Sequence, residues 1–145
     1  MNILTIVIIG FLILEGTNVL ALYFFPGSKY ANAIGVFKAW EKSKGDPEVH
    51  DLVKYLVNWV AGTKLIFICL LIVILVIADD RTLLFAGIAL VFSIASFFWR
   101  LFPLVRKMDR EGQIEPEKYS IVLGWMIGAF ILVFTTAVVI SFGGA

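Results

Sequence analysis

Six polar side chains stand out within or beside the long apolar runs of the chain: Glu15, Asn18, Lys54, Asn58, Lys64 and Arg100. Glu15 and Lys64 fall inside long hydrophobic runs. A charge at the centre of a bilayer costs about 3 kcal/mol on insertion scales, so it needs a partner, neutralisation or water. Glu15 lies about 15 Å along the helix from the loop end of its run, and Lys64 about 12 Å from the same end of the next. Matched depth predicts that the two face the bundle interior and pair. The alternative is a Lys64 that snorkels to the interface beside a neutral Glu15. Asn18 follows Glu15 on the same helical face. Ser93, Ser96 and Arg100 share a face of another run. These groups gather in one half of the membrane, whereas the other half is Ile, Leu, Val, Phe and Ala with Thr135 and Thr136 as the main exceptions. That asymmetry predicts a polar pocket open to one side and argues against a through-pore.

Other chemistry is thin. One histidine and one cysteine exclude a bis-histidine haem pair, a disulfide framework and a Cys-rich metal site. Asp46, Glu48, His50 and Asp51 have metal-capable side chains, but an acidic helix start explains them, and no metal site is expected. Cys69 in an apolar run reads as packing. No nucleophile–base pair or glycine-rich phosphate loop is present, so no catalytic residue is assigned.

The elements that carry these residues follow from composition. Of 145 residues, 61% are apolar and 16% charged, and mean hydropathy is +0.97. A soluble domain has fewer apolar and more charged residues. The net charge of +1 leaves no field for nucleic acid. Four runs reach the length of about 20 residues that a bilayer core demands: 3–25, 56–78, 83–102 and 120–142. None alternates as a barrel strand does. The expected fold is all-α: an integral membrane four-helix bundle with antiparallel, up-down spans, residues 1–145 forming one domain. The first run lacks a basic leader, contains Glu15 and reads as a retained helix.

Lys and Arg set the expected orientation. The loop after the first span and its flanks hold Lys29, Lys38, Lys42, Lys44 and Lys54, the loop after the third holds Arg100, Arg106, Lys107, Arg110 and Lys118, and the turn Asp79–Thr82 holds only Arg81. The long loops are expected in the cytoplasm and both termini outside, in a cell membrane. All Trp and Tyr lie toward the same side. Tyr30, Ile34, Phe37 and Trp40 recur at helical spacing, which fits an amphipathic surface helix or a partly ordered linker. Asp46 as N-cap and Pro47 at N1 start the second helix, which is expected to reach Ala78. Lys107–Gly112 is expected to be a solvated loop, with Pro116-Glu117 opening the fourth helix. Gly124-x-x-x-Gly128 suits close helix packing or an oligomer contact.

Asp46-Pro47-Glu48-Val49, followed by Lys54-x-x-x-Asn58, resembles the second-helix signature of the membrane-associated eicosanoid and glutathione metabolism (MAPEG) family. Chain length, four spans and the long first loop are similar too. The family's basic residue is usually Arg, and here it is Lys54. The family's Glu three residues after the Asn falls on Ala61. Of the family's third-helix Arg and Tyr set, only Arg100 is present, out of register. The resemblance implies a homotrimer with sites between protomers, glutathione as cofactor, and a glutathione-transferase-like membrane enzyme if any enzyme at all.

Three functions remain open. One is a polar pocket in the cytoplasmic half binding an amphipathic or lipid-like ligand, with an anionic head near Lys54 and Arg100 and a tail against Phe97, Trp59 or Trp125. The second is a small oligomeric transporter coupled through Glu15. The third is a non-catalytic assembly subunit whose loops dock a cytoplasmic protein. The first is the preferred expectation, with the lipid bilayer and further copies of the chain as partners.

Overall fold

A computed structural model describes residues 2–31 and 33–143. The chain is 83% helical and has no strands among the described residues. The described residues form six α-helices, here numbered α1 (Ile3–Phe24), α2 (Lys38–Ser43), α3 (Pro47–Ile77), α4 (Asp80–Ala95), α5 (Phe97–Arg110) and α6 (Tyr119–Gly143). Four helical stretches are long and apolar enough to cross a membrane: α1, α3, α4 with α5, and α6. Side-chain caps open three of them. Asn2 accepts from Leu4 N, Asp46 from Glu48 N and Val49 N, and Asp79 from Thr82 N.

The third span is longer than the hydropathy of 83–102 predicts. It runs from Asp80 to Arg110 with one irregularity at Ser96. Ser96 Oγ donates to Ser93 O at 2.6 Å, and such back-bonding bends helices. Pro103 further on supplies no N–H to the preceding turn.

Helix α1 packs on α3, α6 and α4, while α4 packs on α6 and α3. The core lies toward the end that carries the termini. Leu4, Ile8, Leu71, Leu83, Leu90, Phe134 and Ala137 interlock there, and Phe11 meets Phe134 edge-on at 5.4 Å. Gly87 makes this possible, because a Cβ there would come within 3.0 Å of Leu4 and Val138. Large side chains such as Ile66, Val76, Phe92 and Val139 point outward. That exterior is what lipid contact requires, since hydrocarbon rewards no polar surface. Asn2 Oδ1 also accepts from Ser141 Oγ at 2.7 Å, joining the terminal ends of α1 and α6.

At the other end the two long loops clasp each other. Lys38 N donates to Gln113 O at 2.9 Å, and Glu115 N donates to Val36 O at 2.8 Å. Phe37 and Ile114 form an isolated antiparallel bridge. Ile114, Val36 and Val105 are buried together. Two sequence expectations change here. The amphipathic helix over Tyr30–Trp40 shrinks to a 3-10 turn, Ile34–Val36, followed by α2. The chain doubles back so tightly that a Cβ on Gly35 would sit 2.0 Å from Gly27 O, which no continuous helix permits. The third loop is not simply solvated. Lys107–Arg110 is helical, and Asp109 accepts from Lys118 N, Ser120 N and Ser120 Oγ, so it caps α6 from outside that helix.

Glu115 adds surface ion pairs to the clasp. It pairs with Lys29 at 3.2 Å and Lys38 at 3.5 Å. The hydrogen bond from Lys29, then the charges of Lys29 and Lys38, hold its carboxyl below the ordinary value of 4.5. A depressed folded-state value means the contribution is intact above pH 4.5 and fades as pH falls through the lower folded value. Amide hydrogen exchange over residues 33–38 should therefore quicken at about pH 3 relative to about pH 6, after correction for intrinsic rates. Glu115→Gln should remove that pH dependence. The buried Ile114 keeps the loop from opening fully, because exposed ion pairs contribute little.

Candidate functional site

Lys64 Nζ donates to Glu15 Oε2, joining α3 to α1. Asn18 Nδ2 reaches Glu15 Oε1 at 3.4 Å from one turn along α1. The Glu15 side chain is only 17% exposed, so the carboxylate is held between two donors and mostly withdrawn from the surface. Ala61, fully buried one turn before Lys64, lets the two helices approach alongside Leu22 and Val57.

Glu15 and Asn18 look into a cleft of about 740 Å³ between α1, the α4–α5 junction and α6. Ser93, Ser96 and Arg100 form its second polar wall, and Phe97, Ile127 and Phe130 its apolar one. Lys29, Tyr30 and Ala31 close the loop end as a strap. Leu14, Leu101, Val122 and Met126 also line the cleft yet are exposed, so it opens sideways toward lipid. Arg100 lies over the Trp99 ring at 5.9 Å and has no carboxylate partner among the described residues. The neighbouring cations are engaged: Lys64 by Glu15 and Lys29 by Glu115. A smaller groove of about 250 Å³, lined by Thr63, Lys64 and Phe67, reaches the same Glu15 from the α3 side.

The structure thus brings Glu15, Asn18, Lys64 and Arg100 to one region and leaves Lys54 and Asn58 elsewhere. Both lie on the exposed face of α3, beside Tyr55 and Trp59. Lys54 pairs locally with Asp51 at 3.3 Å. Of the three aromatics expected against a ligand tail, Phe97 lines the cleft, whereas Trp59 and Trp125 face outward. The strap is not legible in the sequence: Lys29 and Tyr30 reach the cleft through a turn in which Ser28 Oγ accepts from Tyr30 N and Ala31 takes a positive φ of 54°. Neither a motif nor a hydropathy pattern marks it.

The acidic cluster that opens α3 makes structural contacts. Asp46 caps the helix, and His50 lies against Trp40 with ring centroids 4.8 Å apart and planes tilted by 48°, its Nδ1 hydrogen-bonded to Ser43 Oγ at 2.8 Å. In comparison with known proteins, no family model, curated protein or solved structure matches the chain.

Proposed function

We infer that the protein binds an amphipathic, anionic, lipid-like ligand in the cleft between α1, the α4–α5 junction and α6. One observation carries this reading: a laterally open, largely apolar cleft holds Arg100, a cation with no carboxylate partner among the described residues. A cation at the rim of a partly dry cleft favours an anionic head, with charge-assisted hydrogen bonds worth about 1.5–3 kcal/mol. The apolar wall takes a tail. Glu15 and Lys64 neutralise each other and offer an anionic head no free charge, so Arg100 fixes the ligand's direction. The long loops and the strap are assigned to the cytoplasm on the Lys and Arg distribution, so the ligand comes from the inner leaflet of the cell membrane. The protein acts here as a binding protein, and no group in the cleft is assigned a bond-breaking role.

A second reading draws on the exposed α3 face. Lys54 and Asn58 stand beside the Tyr55–Trp59 ring pair, uncovered by their own chain. The MAPEG resemblance would place them between protomers of a homotrimer that takes glutathione. Crosslinking through Asn58→Cys in membranes tests that arrangement, and a purely monomeric product removes it.

Mass spectrometry of species that co-purify in mild detergent tests the principal reading. Wild type should retain an anionic amphiphile above bulk lipid. Arg100→Leu should lower its retention about tenfold or more, the equivalent of one charge-assisted contact. Arg100 is exposed and bonded to no other helix, so the variant should stay folded. Asn58→Leu should change nothing. Equal retention by wild type and Arg100→Leu, or no species above bulk lipid in either, would overturn the cleft assignment.

A further inference from the structure

A separate amphipathic trough crosses the outer face of α5 and α6, away from the cleft. Phe98, Phe102, Arg106 and Arg110 recur every fourth residue on α5 and so form one stripe, aromatic at one end and cationic at the other. Three shallow grooves of about 410, 370 and 330 Å³ meet on this stripe, and Arg106 lines all three. The middle groove has Phe98, Phe102 and Trp125 for walls and Gly124 between them. A Cβ at 124 would come within 2.8 Å of the Phe102 ring, so glycine keeps the two helices close at the trough floor. Trp125 is 78% exposed at its rim.

The cationic end is only partly offset, by the Asp109 carboxylate that interacts with the charge of Arg106 and by Glu111 and Glu117 at the groove edges. Arg106 and Arg110 have no ion-pair partner among the described residues, and neither does Lys118 across the groove on the α6 side. The nearby acids are partly committed elsewhere. Glu111 pairs with Lys107 at 3.8 Å, and the oxygens of Asp109 accept from Lys118 N and Ser120. Glu117 alone remains on the far lip.

We propose that Arg106 and Arg110 with the Phe98–Gly124–Trp125 groove form a binding site for one anionic phospholipid of the surrounding bilayer, phosphate on the arginines and an acyl chain in the groove. Two guanidinium forks one turn apart match phosphate oxygens in a way that lysines do not. Polar and apolar ends follow each other along the helix in the order that a lipid presents them at a membrane surface. This site is independent of the ligand in the cleft.

Native mass spectrometry of the full chain, purified in uncharged detergent and titrated with phosphatidylglycerol or phosphatidylcholine, tests the proposal. Phosphatidylglycerol should be retained about thirtyfold better, as two surface charges allow. Arg106→Lys with Arg110→Lys preserves the charge and so some preference, but it loses the bidentate forks and should weaken phosphatidylglycerol binding about tenfold. Trp125→Ala removes an exposed side chain, leaves the fold intact and should weaken both lipids. Inorganic phosphate at matched concentration should not displace the lipid. Four results overturn the site: undiminished phosphatidylglycerol binding in the double lysine variant, which means diffuse attraction; displacement by phosphate alone, which means a bare anion site; equal retention of the two lipids; or unchanged binding in Trp125→Ala, which puts the lipid outside the groove.

Discussion

Lys64→Leu should destabilise the protein far more than the double change Lys64→Leu with Glu15→Leu. Lys64 and Glu15 form the ion pair that ties α3 to α1 within their spanning regions. Removing Lys64 leaves the Glu15 carboxylate with one long contact, from Asn18 at 3.4 Å. Stranding one partner of a buried pair costs about 3–5 kcal/mol, whereas replacing both by apolar groups is often neutral. Glu15→Leu alone should fall between the two, because the long stem of the freed Lys64 can turn its ammonium toward the loop-end interface. Thermal melts in detergent for all four proteins give the coupling directly. A coupling of about 2–3 kcal/mol is expected. Strictly additive losses would mean that the contact contributes nothing to stability.

The Glu15–Lys64 pair is legible in the sequence, and the reason is geometric. Depth along a membrane helix is fixed by counting residues from a hydrophobic boundary, so Glu15 and Lys64 can be matched from their positions alone. Rotation about the helix axis is not fixed this way. In a soluble helix the apolar stripe marks the buried face. Here α3 carries Leu, Ile and Val on every side, and lipid accepts any of them. The sequence therefore leaves the direction of Lys54 and Asn58 open, and tertiary packing turns both outward while Val57 and Ala61 turn inward. The loop clasp is hidden for another reason. Phe37 and Ile114 meet from loops two spans apart, and nothing local in either segment encodes the other. Hydropathy places the span boundaries well for α1 and α6, where the apolar run and the helix end together. It falls short for α5, where the charged residues of Lys107–Arg110 continue the helix beyond the hydrocarbon.

Phe134→Ala should be among the most damaging single substitutions in the molecule. Phe134 is fully buried and meets Phe11 edge-on, with Leu4, Ile8, Leu71, Leu83 and Leu90 in the same cluster. Deleting a buried ring of this kind costs about 3–5 kcal/mol through lost contacts and the cavity left behind. The dispersion part of that cost persists in lipid, because hydrocarbon chains cannot enter an enclosed void between helices. Phe134→Leu keeps most of the volume and should cost under about 1.5 kcal/mol. The same cluster bears on function. It fills the half of the bundle that carries the termini, and the 740 Å³ cleft lies at the opposite side of Phe11 and Phe130. A carrier coupled through Glu15 would have to open this cluster on every cycle. A binding protein would keep it shut. Reconstituted wild type should accordingly pass no protons or sodium above empty vesicles, while detergent melts should rank Phe134→Ala well below Phe134→Leu. Coupled flux in wild type that Glu15→Gln abolishes would return the transporter reading to first place, and it would require the Phe134 cluster to be a moving gate.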